Sequence, residues 1–570
     1  MPYMLSKNSR LLDDTLLILT MAVLAGCGLI YEYLLSHYAG RVLGVMEGTI
    51  YTMIGLMIVS MGLGAFAARK VRCAYNGFVY LELIIALLGS SAILIIGALI
   101  AVTQMLPTII ADTFALPPDM LPRGGIFKQL SFIAFNSPYF FGVILGFFIG
   151  MEIPLIARIR EHIHGQHLAN NLGTIYGADY IGAGIGAAIW VLFLLSMDIS
   201  KAAAITASLN LIAGGFFIMR YWHKLQWRKT FIGLHLVLAL IITLMFSFGN
   251  QWLNQMNSLL YLDKVVHSEK TRYQQLTFTE RHMGITSGIV QSNIINFYLN
   301  GRLQFSSLDE HIYHDYLVAP VLAGSARHNN ILIIGGGDGL ALRDVLKYSP
   351  QQVTLIDLDS ELIDIFQSPS EHLPARLATQ IAHINQNSLQ DKRVKILRSD
   401  AFITINNLLK SGQIFDAIIV DLPDPSHPDL NKLYSVNFYA RLKQLLSGDG
   451  LIAIQSTSPY HAKNSFISIG KTLSAADFSH VQQYHDNVPS FGEWGWTIAA
   501  KMGLSPLKRL KQLDELPIKH SWVNLDILTA AFIFPNNFYQ DKDKIPINIL
   551  GSHTIYQLHQ KAWQDQQGMQ

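Results

Sequence analysis

The sequence predicts a multi-pass α-helical membrane domain fused to a doubly wound α/β domain, with a small β-sheet between the two. Three observations predict it. Long apolar stretches recur up to about Gly249 and then stop. Over residues 331–357 an apolar run, a glycine turn, a helical pattern and a second apolar run ending in an acid follow one another. Beyond Asp357, strand-like runs keep alternating with helical segments, the pattern of an open, mostly parallel sheet.

The chain has 570 residues, 51% of them hydrophobic and 14% charged. These means hide a division, because charge is scarce in the first half and ordinary in the second. Seven stretches are long and apolar enough to cross a bilayer, near residues 15–35, 49–68, 78–102, 130–154, 175–195, 202–220 and 230–249. A cleaved signal peptide is the alternative for the first, but its apolar core is too long. Loop cations gather on the side of the amino terminus (Lys7, Arg10, Arg69, Lys70, Arg158, Arg220 and Lys229 among them), which places that terminus in the cytoplasm. Seven crossings of a cell (inner) membrane then put the second half on the other face. A count differing by one would return it to the cytoplasm, where adenosyl metabolites are made.

Glu32, Glu82, Glu152 and Asp179 lie in or beside the apolar stretches. Charges there are costly, and they either pair with Arg or Tyr near helix ends or line a path for a cation. Gly182, Gly184 and Gly186 predict close helix packing. The two cysteines, Cys27 and Cys73, both fall in the first half, so the second can have neither a disulfide framework nor a cysteine metal site. No histidine spacing suggests a metal. The net charge of +2 argues against a nucleic-acid partner.

In the second half, short strands are expected at 274–278, 288–292 and 293–299, followed by an Asn300-Gly301 hairpin turn and Gln304. A helix should open at Asp309-Glu310 and carry Tyr313 and His314. The turn Gly335-Gly336-Gly337-Asp338-Gly339 lets backbone approach a ligand, and Asp357, ending the neighbouring strand, can grip a ribose diol. Asp338 inside the turn would repel a pyrophosphate, which favours an S-adenosyl-type ligand over NAD. The fold is therefore Rossmann-like, of the S-adenosylmethionine-methyltransferase-like kind. Further strands are expected at 393–397, 415–420 and 451–455. Ligands of such sheets sit beyond the carboxyl ends of the strands, and Asp338, Asp357, Asp400, Asp421 and Asp424 all fall there. The plain alternative for Asp421 and Asp424, which flank Pro423, is that they cap a turn.

With these residues in place, the second half resembles the polyamine aminopropyltransferases, of which spermidine synthase is the type, over residues 273–496. The resemblance is carried by Tyr273-Gln274, Gln304 with Asp309-Glu310, Tyr313-His314, the glycine turn, Asp357, Asp400-Ala401, Asp421 through Pro425, Leu433-Tyr434 with Phe438-Tyr439, and Trp494-Gly495. The helical half resembles the membrane-fused branch of that family. The resemblance implies a donor, decarboxylated S-adenosylmethionine, and an acceptor, putrescine or a similar amine. It implies a direct displacement giving spermidine and 5′-methylthioadenosine, with no metal and no further cofactor.

The same resemblance makes Asp421 the proton acceptor, and Tyr313, His314, Asp338 and Asp424 the amine-binding residues. It assigns Gln274, Gln304, Gly335, Gly337, Asp357, Asp400, Ala401 and Pro428 to the donor, Asp357 at the ribose and Asp400 at the adenine amino group. The chain departs from the family pattern at Leu340 (usually glycine), Asp357 (more often Glu), Leu422 and Pro423 (usually small and polar) and His427 (a common glycine). Two rivals stand beside this reading: an S-adenosylmethionine-dependent methyltransferase, and a polyamine transporter or sensor with a non-catalytic binding domain. The expected partners are a polyamine, the adenosyl donor and the lipid bilayer, with homo-oligomerisation left open. The expected domains are a seven-span domain (1–250), a small β-strand domain (251–308), the Rossmann-like aminopropyltransferase domain (309–540) and a loosely ordered polar tail (541–570).

Overall fold

The structure, a computed structural model, describes residues 7–43, 46–114, 124–164, 171–259, 261, 263–281, 285–286, 289–290 and 293–569. The chain divides into two compact units, Met1–Leu262 and Asp263–Gln570.

The first unit is helical: α1 (Lys7–Leu43), α2 (Met46–Ala67), α3 (Ala74–Thr113), α4 (Ile126–Gly150), α5 (Glu152–His164), α6 (Asn171–Leu192), α7 (Ile199–Arg220) and α8 (Arg228–Ser258). Among the described residues, seven stretches are long and apolar enough to cross a membrane: Leu12–Gly40, Gly48–Lys70, Ala74–Ala111, Ile126–His164, Asn171–Leu192, Ile199–Arg220 and Arg228–Met256. Tyr31, Phe78, Ile85 and Ala203 are buried inside the bundle, while Tyr51, Val59, Phe66, Leu236 and Leu240 face outward. A side chain at Gly182 or Gly186 would collide with the α1 backbone at Ala22 or Gly26, so α1 and α6 meet backbone to backbone. Gly184 faces open space, so only two of the three glycines pack as expected. The buried acid Glu82 takes a hydrogen bond from Asn210 (2.9 Å), which accepts one from Tyr31 (3.2 Å). Its partner is therefore an amide rather than the Arg or Tyr expected.

The second unit contains thirteen strands among its described residues: β1 (Lys264–Lys270), β2 (Gln275–Arg281), β3 (Ile285–Thr286), β4 (Ile289–Val290), β5 (Ile294–Leu299), β6 (Arg302–Ser306), β7 (Asn330–Gly335), β8 (Gln352–Asp357), β9 (Val394–Arg398), β10 (Phe415–Asp421), β11 (Leu446–Gln455), β12 (Ser479–Val488) and β13 (Gly492–Ala500). β1, β2, β5 and β6 form an antiparallel sheet in the order β1-β2-β5-β6. Asn300 (φ 50°) and Gly301 (φ 81°) turn β5 into β6, both in the left-handed region that a tight hairpin requires. The strand expected at 288–292 survives as β4 paired with β3; its remaining residues lie outside those described.

The main sheet runs β12-β13-β11-β10-β7-β8-β9. β11, β10, β7, β8 and β9 are parallel, and β13 and β12 continue as an antiparallel hairpin. Ile331, Leu332, Ile333 and Ile334 of β7 and Ile418, Ile419 and Val420 of β10 are buried on both faces, because helices cover both sides. That is why these strands read as continuous apolar runs rather than as alternation. The two sheets share one core, in which Phe278, Phe297 and Phe305 of the small sheet pack on Phe366. The chain order turns back between β7 and β10, so the sheet opens its ligand crevice there.

The polar tail is a correction. Residues after Pro546 fold back, and Thr554–Met569 is a helix that buries Ile555, Tyr556 and His559. These lie at i, i+1 and i+4 of one face, a short apolar signature masked by the surrounding Gln residues.

Gly335 (φ 82°) ends β7, and a Cβ there would run into the Asp421 carbonyl. Gly335→Ala is expected to destabilise the second unit by about 2–4 kcal/mol, combining strain with overpacking. Thermal unfolding of the detergent-solubilised chain checks this.

Candidate active site

The site is built around the turn that follows β7. β10 pairs with β7 so that Asp421 lies opposite Gly335, and Asp357 ends β8 on the other side. A Cβ placed on Gly336 would meet Asp421 Oδ2 at 3.3 Å, and one on Gly337 would meet Asp357 Oδ2 at 2.9 Å. The turn therefore threads between two carboxylates: a side chain at Gly337 would crowd Asp357, and one at Gly336 (φ 66°) would be strained. Gly336 N donates to the Asp421 carbonyl (3.1 Å) and Gly337 N to Asp357 Oδ2 (3.1 Å). The second Asp357 oxygen accepts from Asp359 N (3.0 Å).

α9 (Glu310–Ala323) brings Tyr313 and His314 against this rim. Tyr313 Oη donates to Asp421 Oδ1 at 2.7 Å. Burial, with Asp421 beside it, pushes the Tyr313 hydroxyl well above its usual range, so it stays a donor. His314 does not reach Asp421 in this way. Its Nδ1 faces the Glu310 carbonyl (2.7 Å) and Glu310 Oε2 (2.9 Å). Burial pulls its pKa down, but Glu310, Asp421 and Asp338 outweigh burial and raise it to about 9. Glu310 is held below its ordinary value despite burial, by His314 and by Arg343 (2.7 Å) of α10 (Leu340–Leu346). His314 is thus a buried imidazolium within electrostatic reach of the acids, and not a base.

Asp338 is half-buried and accepts from Leu340 N (3.0 Å). Burial, and then the charge of Asp421, push it up to about 6. Asp357 rises to about 6 by burial, against its two backbone bonds. Asp421 is raised by burial, partly offset by His314 and the Tyr313 bond.

Asp424 takes Thr457 Oγ1 (3.3 Å), Gln455 Nε2 (3.5 Å) and His559 Nε2 (3.2 Å). Gln455 also holds the Leu422 carbonyl (2.7 Å) and Tyr434 Oη (2.8 Å), and Tyr434 donates to the Pro423 carbonyl (2.9 Å), so the loop between the two acids is braced.

Among the residues expected at the donor, the placements are mixed. Gln274 Nε2 donates to Asp359 Oδ2 (2.9 Å), as does Thr271 (2.7 Å), which anchors it two residues past Asp357. Asp400 caps the helix that begins with the buried Ala401 and pairs with Lys432 (2.7 Å). Pro428 is buried at the start of the 3₁₀ helix Pro428–Tyr434, which also carries Lys432. Gln304 turns its amide back onto the Arg302 and Leu303 carbonyls of its own strand (3.3 and 3.2 Å). Trp494 is half-buried against Phe491 (5.0 Å).

Sequence reasoning missed Asp359, Arg343, Lys432, Gln455, Thr457 and His559. Asp359 had a signal, an acid directly before a helical pattern, and it caps Leu362 (3.3 Å). Thr457 sits at φ 59°, which no local pattern announces. Among the described residues, no group of three His, Cys, Asp or Glu is placed to hold a metal ion.

A parallel sheet with its crevice at the β7/β10 switch, and a glycine turn flanked by acids, defines a Rossmann-type α/β transferase domain. Residues 310–510 match the family described as spermine/spermidine synthase domain. Over 99% of its length the chain is 58% identical to the polyamine aminopropyltransferase of Shewanella oneidensis, covering 98% of that protein. It is 30% identical to polyamine aminopropyltransferase 1 of Streptomyces coelicolor, over 96% of this chain and 95% of that one. The crystal structure of Thermotoga maritima spermidine synthase aligns with 50% of this chain and 88% of its own, at 22% identity and a TM-score of 0.40. The chain belongs to the polyamine aminopropyltransferase family.

The folded pKa of Asp338, about 6, stands above its ordinary 3.8. Its ionisation therefore weakens the fold as pH rises through that window, and the penalty is complete above it. Asp338→Asn keeps the Leu340 bond and carries no charge. It is expected to be more stable than wild type by about 1 kcal/mol near pH 8, allowing for partial solvent screening, and no more stable near pH 4. Thermal unfolding at the two pH values checks the sign.

Proposed function

We propose that this chain transfers the aminopropyl group of decarboxylated S-adenosylmethionine to putrescine or a similar primary amine, giving spermidine and 5′-methylthioadenosine. The observation that carries the reading is the glycine turn lying between Asp421 and Asp357. It supports an adenosyl donor gripped on one side and an amine on the other.

An alkylammonium has a pKa near 10 and no free lone pair, so a base must first take a proton from it. The freed lone pair then forms a new N–C bond to the aminopropyl carbon. The C–S bond breaks with its electron pair going to sulfur, the sulfonium becomes a neutral thioether, and its positive charge passes to the new secondary ammonium. Asp421 is that base: burial raises its pKa toward that of the amine, and Tyr313 fixes the carboxylate by holding Oδ1. Asp338 and Asp424 face the amine as carboxylates, which suits a substrate arriving as a dication. His314 serves the amine site through its charge and through α9. Asp357, its oxygens aimed by Gly337 N and Asp359 N, takes the ribose diol; Gly335 and Gly337 give the donor close backbone approach. Asp400 takes the adenine amino group beside Lys432, with Ala401 and Pro428 as walls, and Gln274 and Gln304 border the donor from the small sheet. Alignment of nucleophile and leaving group supplies much of the rate, and a sulfonium leaves without metal help. A methyltransferase donor would bring its carboxylate against Asp338, Asp421 and Asp424, which disfavours that rival.

The test is purified full-length protein with decarboxylated donor and a panel of putrescine, cadaverine, agmatine and spermidine, read by product mass. Asp421→Asn is expected to lower kcat by about 10²–10⁴-fold with donor binding retained. Methylated amine formed from intact S-adenosylmethionine would instead establish the methyltransferase.

The first unit we read as a seven-span domain of the cell membrane, supported by its outward-facing apolar residues and its seven helical stretches of spanning length. An odd number of crossings puts an amino-terminal tag and the second unit on opposite faces. In sealed vesicles the two are expected to show opposite protease protection, with the chain resistant to alkaline carbonate extraction. Protection on the same face would change the count.

A further inference from the structure

Asp424 is held from the far end of the chain. Two of its donors, Gln455 and Thr457, come from the end of β11 and the residues just beyond it. The third, His559, comes from the carboxyl-terminal helix Thr554–Met569, with Nε2 at 3.2 Å from Asp424 Oδ2 and a side chain 1% exposed. That helix is fastened beside the loop of the two acids. Tyr556 N donates to Asn431 Oδ1 (3.3 Å), and Asn548 Nδ2 donates to the carbonyls of Asn431 (2.8 Å) and Tyr434 (3.0 Å). Arg302, on β6, is in electrostatic reach of both Asp424 and Tyr556. The hairpin and the carboxyl-terminal helix therefore converge on one carboxylate.

We propose that His559 is a positioning residue for the acceptor: from a helix fastened beside the loop of the two acids, it aims the Asp424 carboxylate at the distal ammonium of a diamine. The inference rests on the aminopropyl-transfer reading above. Asp421 and Asp424 are three residues apart, so at most about 10 Å of chain separates them, a span matched to two ammonium groups on a short linker. The bonds from Gln455 and Thr457 are long, and a carboxylate held only by them could rotate. The buried imidazole restricts that rotation.

The experiment uses the full-length protein with decarboxylated donor and putrescine, cadaverine or spermidine as acceptor. His559→Phe, which fills the buried volume without a suitable donor, is expected to raise the KM for putrescine about tenfold, with kcat and the donor KM within about twofold. His559→Gln, which keeps a donor, is expected to recover most of that loss. His559→Ala, which also removes the donor, is expected to raise the putrescine KM by a similar factor and to leave the donor KM within about twofold. Lys561→Ala, on the exposed face of the same helix, should change neither. An unchanged putrescine KM in His559→Phe, or a donor KM that rises in parallel, overturns the proposal. Failure of the wild-type chain to form any aminopropylated product overturns the transfer reading instead, so the two failures are distinct.

Discussion

Two carboxylates stand on either side of one glycine turn, and the cost of keeping them there organises the rest of the site. Asp421 and Asp357 are both raised by burial, and Asp338 sits between them in charge. Burial, with like charges in the same rim, makes each acid hold its proton to a higher pH than usual. A polycation and a sulfonium are the species whose arrival relieves this. The same arrangement that strains the apo site thus sets what it binds.

The surroundings hold the acids in place against that repulsion. Backbone N–H groups of Gly337 and Asp359 fix Asp357, and Tyr313 fixes Asp421. Behind them, Glu310 ties His314 and Arg343 into one buried ion cluster at the start of α9, which sets how that helix presents Tyr313. Such a cluster contributes little net stability when intact and costs a great deal when one partner is removed. Its value is geometric. Asp309 adds to it by accepting from Ser490 N and Oγ, which links the helix to the turn between β12 and β13.

Much of this was legible from residue order alone. The apolar runs of β7 and β10 are continuous because both faces are covered, and the acids at their ends are where a parallel sheet puts ligand groups. The Asn300-Gly301 turn formed where its composition requires it. The conformation of Gln304 was not legible, because its amide turns back on its own backbone. Nor were Lys432 on Asp400 or Gln455 on the loop between Asp421 and Asp424, since each is a side chain reaching a segment 31–33 residues away. The tail misled for a related reason: Ile555, Tyr556 and His559 stand among glutamines and raise no clear periodic signal.

The sequence by itself determined the division into an apolar helical half and an α/β half, the glycine turn, and which acids end which strands. Those features are local: hydrophobic period, backbone freedom and strand ends are written in neighbouring residues. Only the tertiary structure decided which donors each acid accepts, that His314 faces Glu310 rather than Asp421, and that the last helix returns to Asp424. The His559 contact spans 135 residues of chain, and such contacts depend on how helices and strands pack rather than on any one segment's pattern.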